Sequence, residues 1–89
     1  MSVYIDNARV PYGWMIMCHM LADSTEELME MAVRIGVNRK WLQDMGSYRE
    51  HFDVCLAKRK LAIDNGAVEI TFRDLAEKLR ERREREAKP

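Results

Sequence analysis

The stretch Trp14-Met15-Ile16-Met17-Cys18-His19-Met20-Leu21-Ala22-Asp23-Ser24-Thr25-Glu26-Glu27-Leu28 decides the fold, because a strand and the start of a helix stand back to back in it. The apolar run from Trp14 to Met20 follows the turn residues Val10-Pro11-Tyr12-Gly13, where proline fixes φ and glycine tolerates positive φ. A short apolar run bounded in this way reads as a buried strand. Alternation then puts Met15, Met17 and His19 on one face, and Trp14, Ile16, Cys18 and Met20 on the other. The helix begins at Asp23 or Ser24. Ser24-x-x-Glu27 is a capping box, and Glu26, Glu27 and Glu30 favour the positive end of the helix dipole. Leu28, Met31, Ala32 and Ile35 form its apolar stripe, and Gly36 stops it.

Toward the N-terminus, Val3-Tyr4-Ile5 reads as a strand with Asp6-Asn7 as its exit, paired with the Trp14–Met20 strand as a hairpin. Toward the C-terminus, Asn38 to Gln43 gives one further helical turn, and Gly46-Ser47 opens a loop. His51-Phe52-Asp53-Val54 leads into a helix expected over Val54 to Asn65, with Asp53 as N-cap and Gly66 as terminator. Ala67-Val68-Glu69-Ile70 is a third strand. Thr71 caps the last helix with Asp74 at N3, and Phe72, Leu75, Ala76 and Leu79 make its buried stripe. From Arg80 the chain is nearly all charged and reads as a solvated helix fraying toward Pro89. The order ββααβα predicts an α+β fold: a small three-stranded sheet with helices packed on it. We expect a single domain over residues 1–79 and a charged helical tail over 80–89. If the second and third strands are parallel neighbours, the crossover between them is right-handed.

With 89 residues, the chain buries about two-thirds of its unfolded surface, enough for one core but not for a deep chamber. A hydrophobic fraction of 47% with 34% charge excludes wholesale disorder. Two distant cysteines, Cys18 and Cys55, exclude a disulfide scaffold and suit a reducing compartment. The apolar run before Asp23 is too short to span a bilayer and lacks a basic leader, so a cytoplasmic location and no membrane partner are expected. Net charge is zero, but residues 1–33 carry −4 and residues 34–60 carry +4. A basic middle in a neutral chain favours a local anion site over a whole-face nucleic-acid footprint.

The candidate site residues come from this middle segment and from the second strand. His19 in an apolar strand is either a core residue with satisfied ring nitrogens or a general base near a strand end, with Asp6 and Asp23 as companions. His51 and Asp53, two apart, project to the same side of an extended segment, where the carboxylate orients the imidazole. Taking Val54 as the origin of the helical wheel, Lys58 falls on the apolar stripe and Arg59 lies beside it. These two cations either cover the core with their stems or form an anion site with His51 at the start of the helix. Arg39, Lys40 and Trp41 add cations and a stacking ring, although Trp41 alone reads more readily as a core aromatic. No metal-ligand spacing, Walker A, GxGxxG or GxSxG motif occurs, so no metal is assigned and no cofactor is named.

Several of these segments together resemble a known family. In order along the chain they are Val3-Tyr4-Ile5-Asp6, His19 with Ala22-Asp23, the Glu-Glu-Leu helix ending at Gly36, His51-Phe52-Asp53-Val54, Lys58-Arg59 and Gly66-Ala67-Val68. The chain is similar, over about residues 3 to 79, to the bacterial and phage proteins grouped as domain of unknown function 4031. The resemblance implies a small protein of bacterial, phage or prophage origin, located in the bacterial cell or in host cytoplasm. It brings no catalytic assignment. Three functions are compatible with the residues. The first is binding of a phosphate-bearing ligand, a nucleotide or nucleic-acid end, through the His/Lys/Arg cluster. The second is a small hydrolase or phosphotransfer enzyme using His19 and His51 as acid and base, with Asp6, Asp23 or Asp53 orienting them. The third is a phage accessory protein acting by protein–protein interaction. One thin sheet also favours a homodimer.

Overall fold

The computed structural model describes residues 2–87; the fraying expected toward Pro89 lies outside the described residues. In chain order the elements are β1 (Val3–Ile5), β2 (Val10–Tyr12), β3 (Met15–Ala22), α1 (Thr25–Ile35) and a 3₁₀ turn (Arg39–Trp41). They continue with β4 (Phe52–Cys55), α2 (Leu56–Asp64), β5 (Val68–Glu69) and α3 (Phe72–Ala87). The fold is α+β, but the mixed sheet has five strands where three were expected.

The long strand β3 organises the sheet. Met17 pairs with both Val10 and Cys55, and Met20 pairs with both Ile5 and Phe52. A strand has two edges, so β4 occupies one edge while β1 and β2 share the other. All three pair antiparallel with β3, and β5 adds to β1 in parallel. The conditional pairing of the second and third strands is therefore replaced: β5 lies beside β1, not beside β3.

Two strands depart from expectation. Val10–Tyr12 is paired although it reads as turn; Pro11 is tolerated because an edge strand can do without one N–H, and the reversal is made by Gly13-Trp14 with Gly13 at φ +60°. Phe52–Cys55 is β4, not the start of a helix. Its aromatic and β-branched residues, Phe52 and Val54, are buried while Asp53 and Cys55 are half-buried, the period-2 pattern of a strand against one core. Helix α2 consequently begins two residues later than expected, with Cys55 and not Asp53 at its N-cap, and without a side-chain cap.

The register sorts the sheet into two faces. Val3, Ile5, Met20, Ala22, Phe52 and Val54 form the core with Leu28, Met31, Ala32 and Ile35 of α1 and Ala62 of α2. Tyr4, His19, Leu21 and Asp53 take the opposite face, crossed by α3. There Leu75 is buried, Lys78 Nζ sits 3.9 Å from the centre of the Tyr4 ring, and Arg82 donates to the Ala22 carbonyl.

Helix α1 follows its sequence signals. Ser24 Oγ accepts from the Glu27 N–H at 3.2 Å, and Gly36 closes the helix at φ +76°. Ser24→Ala is expected to cost about 1 kcal/mol of stability, read as a lowered urea midpoint with unchanged m-value.

Candidate functional site

The site is built where β1 ends. Asp6 follows the last paired residue of β1, and its N–H still donates to the His19 carbonyl at 3.0 Å. The reciprocal bond is made by the side chain: Asp6 Oδ1 accepts from the His19 N–H at 2.7 Å and from the Ala8 N–H at 3.3 Å. The Asp6 carbonyl is thereby freed, and it accepts from Arg59 Nε at 2.9 Å.

Asp6 Oδ2 lies 2.8 Å from His19 Nδ1, and the carboxylate is wholly buried. Burial pushes the Asp6 carboxyl up, but the bonds from the His19 ring and backbone, with the charge of that ring, outweigh it. They hold the group below its usual range. An ionised carboxylate only accepts, so His19 Nδ1 carries the proton and Nε2 is the atom turned toward the opening. The same bond raises the His19 pKa above its ordinary value; burial opposes this, and the charges of Asp6 and Asp53 add to it.

His51 is fixed independently. It forms a two-bond bridge with Gln43, and its Nδ1 stands 2.6 Å from the Arg49 carbonyl. A carbonyl only accepts, so this ring too is protonated at Nδ1 and presents Nε2. Both Nε2 atoms face the same oxygen, Asp53 Oδ1, at 3.8 Å from His19 and 3.3 Å from His51. Gln43 Nε2 donates to the other oxygen of Asp53 at 2.7 Å. The ring centroids are 5.6 Å apart at 66°. Side-chain exposures of 25% for His19, 21% for His51 and 37% for Asp53 leave all three within reach of a solute.

Two clefts meet at this cluster. The larger, about 790 Å³, is lined by Tyr12, Met15, Met17, Lys40 and Trp41; the smaller, about 360 Å³, by Leu21, Arg49, His51, Phe72 and Leu75. His19 and Asp53 line both.

Of the expected site residues, the fold brings together Asp6, His19, His51 and Asp53. Arg39, Lys40 and Trp41 lie on the exposed 3₁₀ turn. Trp41 is not a core residue: it is 62% exposed, with Lys40 Nζ 5.0 Å from its ring centre. Asp23 lies beyond the far end of β3, where it accepts from the Ser2 N–H at 2.8 Å and from the Tyr4 hydroxyl at 3.3 Å.

The anion site expected from Lys58, Arg59 and His51 at the start of α2 is not assembled. Because α2 begins at Leu56, Lys58 turns toward the C-terminal end of α1, where its Nζ would lie 3.1 Å from a Cβ placed on Gly36. Cations there meet the negative end of a helix dipole. Arg59 is engaged with the Asp6 carbonyl and with Glu69 Oε1 at 3.2 Å, so it supports Asp6 and lines neither cleft. Gln43, Arg49, Tyr12 and Phe72 join the site without having been expected there, and no local pattern marks them. Among the described residues, no three His, Cys, Asp or Glu side chains are grouped to hold a metal ion, and no helix is long and apolar enough to cross a membrane.

No curated protein and no solved structure matches the chain. A family model described as protein of unknown function (DUF4031) matches residues 3–82, a span that includes Asp6, His19, His51 and Asp53. The chain belongs to the DUF4031 family.

Proposed function

We propose that the protein is an acid–base catalyst of phosphate-ester cleavage or transfer, with His19 and His51 as the proton-transferring pair. The observation that carries this reading is the convergence of two imidazole Nε2 atoms on Asp53, each ring fixed through its Nδ1. Acid–base catalysis needs one group that holds a proton and one that takes it, each aimed at the reacting atoms. His19, held toward the imidazolium by Asp6, is the acid. His51, oriented by a neutral carbonyl, is the base. Asp53 stands between them and stabilises positive charge on either ring. The phosphate assignment is supported by the basic middle segment, from which Lys40 and Arg49 reach the two clefts.

A binding role without turnover is the second reading, favoured by the exposed Trp41 and Lys40 beside the larger cleft. The same experiment separates the two. Wild type, His19→Gln, His51→Gln and the double variant are assayed from pH 5 to 9 on p-nitrophenyl phosphate, bis(p-nitrophenyl) phosphate and mono- and dinucleotides. Catalysis predicts a bell-shaped kcat/KM profile, and a loss of roughly 10²–10⁴ for each single variant. The double variant should be little worse than either, because the two residues act as a unit. Equal activity in the double variant rules the pair out; ligand binding with no turnover by wild type favours the second reading.

A further inference from the structure

We infer that the substrate is a phosphodiester whose two substituents occupy the two clefts, with a nucleobase or similar flat aromatic group on the Trp41 side. The inference rests on the acid–base reading and adds the substrate class to it. His19 and Asp53 form a ridge between the clefts, because both residues line each of them. A phosphorus atom held at the Nε2 atoms therefore has space on both sides. A monoester has one organic substituent and leaves one cleft empty, whereas a diester fills both.

The linings differ in chemistry. The larger cleft is lined by Met15 and Met17 and by two exposed rings, Tyr12 at 70% and Trp41 at 62%. Exposed rings lining the same cleft as apolar side chains offer a stacking platform for a flat heterocycle, and Lys40 over Trp41 adds the charge that a linked anion seeks. The smaller cleft is apolar along Leu21, Phe72 and Leu75 and carries Arg49 at its polar end, so it suits the second ester group.

His51 lines only the smaller cleft, which sets the direction of the reaction. His51 Nε2 takes a proton from water as the water oxygen bonds to phosphorus. The P–O bond on the opposite side breaks, and its electron pair stays with the departing oxygen. That oxygen takes the proton from His19 Nε2. Diester and water become a monoester, held on the α3 side, and an alcohol that departs through the larger cleft.

The test compares a dinucleoside monophosphate with the corresponding mononucleotide on wild type, Trp41→Ala and His19→Gln. Trp41 is exposed, so its removal leaves the core intact. The expected result is a kcat/KM for the dinucleotide at least about 100-fold above that for the mononucleotide. Trp41→Ala should raise KM for the dinucleotide by about 10-fold with an unshifted pH profile. Mononucleotide turnover as fast as dinucleotide turnover, still abolished by His19→Gln, would overturn the diester assignment and leave the acid–base reading standing. An unchanged KM in Trp41→Ala also overturns it. Absence of turnover with every ester overturns both.

Discussion

Asp6→Ala is expected to lower stability by about 3 kcal/mol. Asp6 is wholly buried and accepts from the His19 ring, the His19 N–H and the Ala8 N–H. Alanine leaves those three donors facing a small cavity. A stranded buried donor costs about 1–3 kcal/mol, and the partial exposure of His19 lets water recover some of that. Marginal stability of about 5–15 kcal/mol makes such a loss a large fraction of the whole.

The pH dependence distinguishes this loss from simple cavity formation. The Asp6 pKa is lowered in the folded state, so its contribution is present above the unfolded value of about 4 and disappears as pH falls through the folded value. The His19 pKa is raised, so its contribution is complete below about 6.5 and is lost as pH rises through the folded value. Wild type and Asp6→Ala should therefore differ most between about pH 4 and pH 6.5. The difference shrinks on both flanks, and on the alkaline side the part held by the backbone N–H bonds to Asp6 remains. Urea midpoints across pH 3–9 measure this directly. A difference independent of pH would mean that packing, and not the ion pair, holds Asp6 in place.

Helix α1 was legible because everything that makes it is local: the Ser24 cap, the acidic first turn, the four-residue apolar stripe and Gly36 lie within thirteen residues. The pairing of His51 with Asp53 was legible for a similar reason, since period-2 geometry needs only that the segment be extended. What made the segment extended was not local. Phe52-Asp53-Val54-Cys55 could equally open a helix, and it is a strand because β3 offers it a free edge at Met17 to Met20. Counting Val54 into the helix aligned the expected stripe on Ala57 and Leu61, which are exposed, whereas the buried face of α2 runs through Ala62 with Lys58 and Arg59 half-buried one turn before it. Asp6 was expected as one of several carboxylates that could accompany His19, but that it is the one bonded to the His19 ring was hidden for the same kind of reason. That bond follows from the antiparallel register that sets Ile5 opposite Met20, which no spacing within either strand records.

A loss of activity comparable to that of removing His19 itself is expected from a change that barely alters shape. In Asp6→Asn the side-chain oxygen can keep accepting from the His19 N–H, while the amide N–H₂ takes the place of Oδ2 beside His19 Nδ1. Two donors cannot share that contact, so Nδ1 gives up its proton and the ring carries it on Nε2. His19 then loses the carboxylate that holds it in the imidazolium form, and a neutral imidazole is a poor acid toward a departing alkoxide. The same replacement in the Ser-His-Asp triad of serine proteases costs roughly 10⁴ in kcat through the wrong tautomer. A loss of roughly 10²–10⁴ in kcat is expected here, with KM little changed because Asp6 lines neither cleft. Nitrogen-15 shifts of the His19 ring supply the independent readout: the proton should sit on Nδ1 in wild type and on Nε2 in the variant. If the ring flips and kcat holds, His19 is not the acid, and the buried carboxylate serves only the fold. If the ring flips and kcat falls while the urea midpoint stays close to wild type, Asp6 acts through the proton it places on His19.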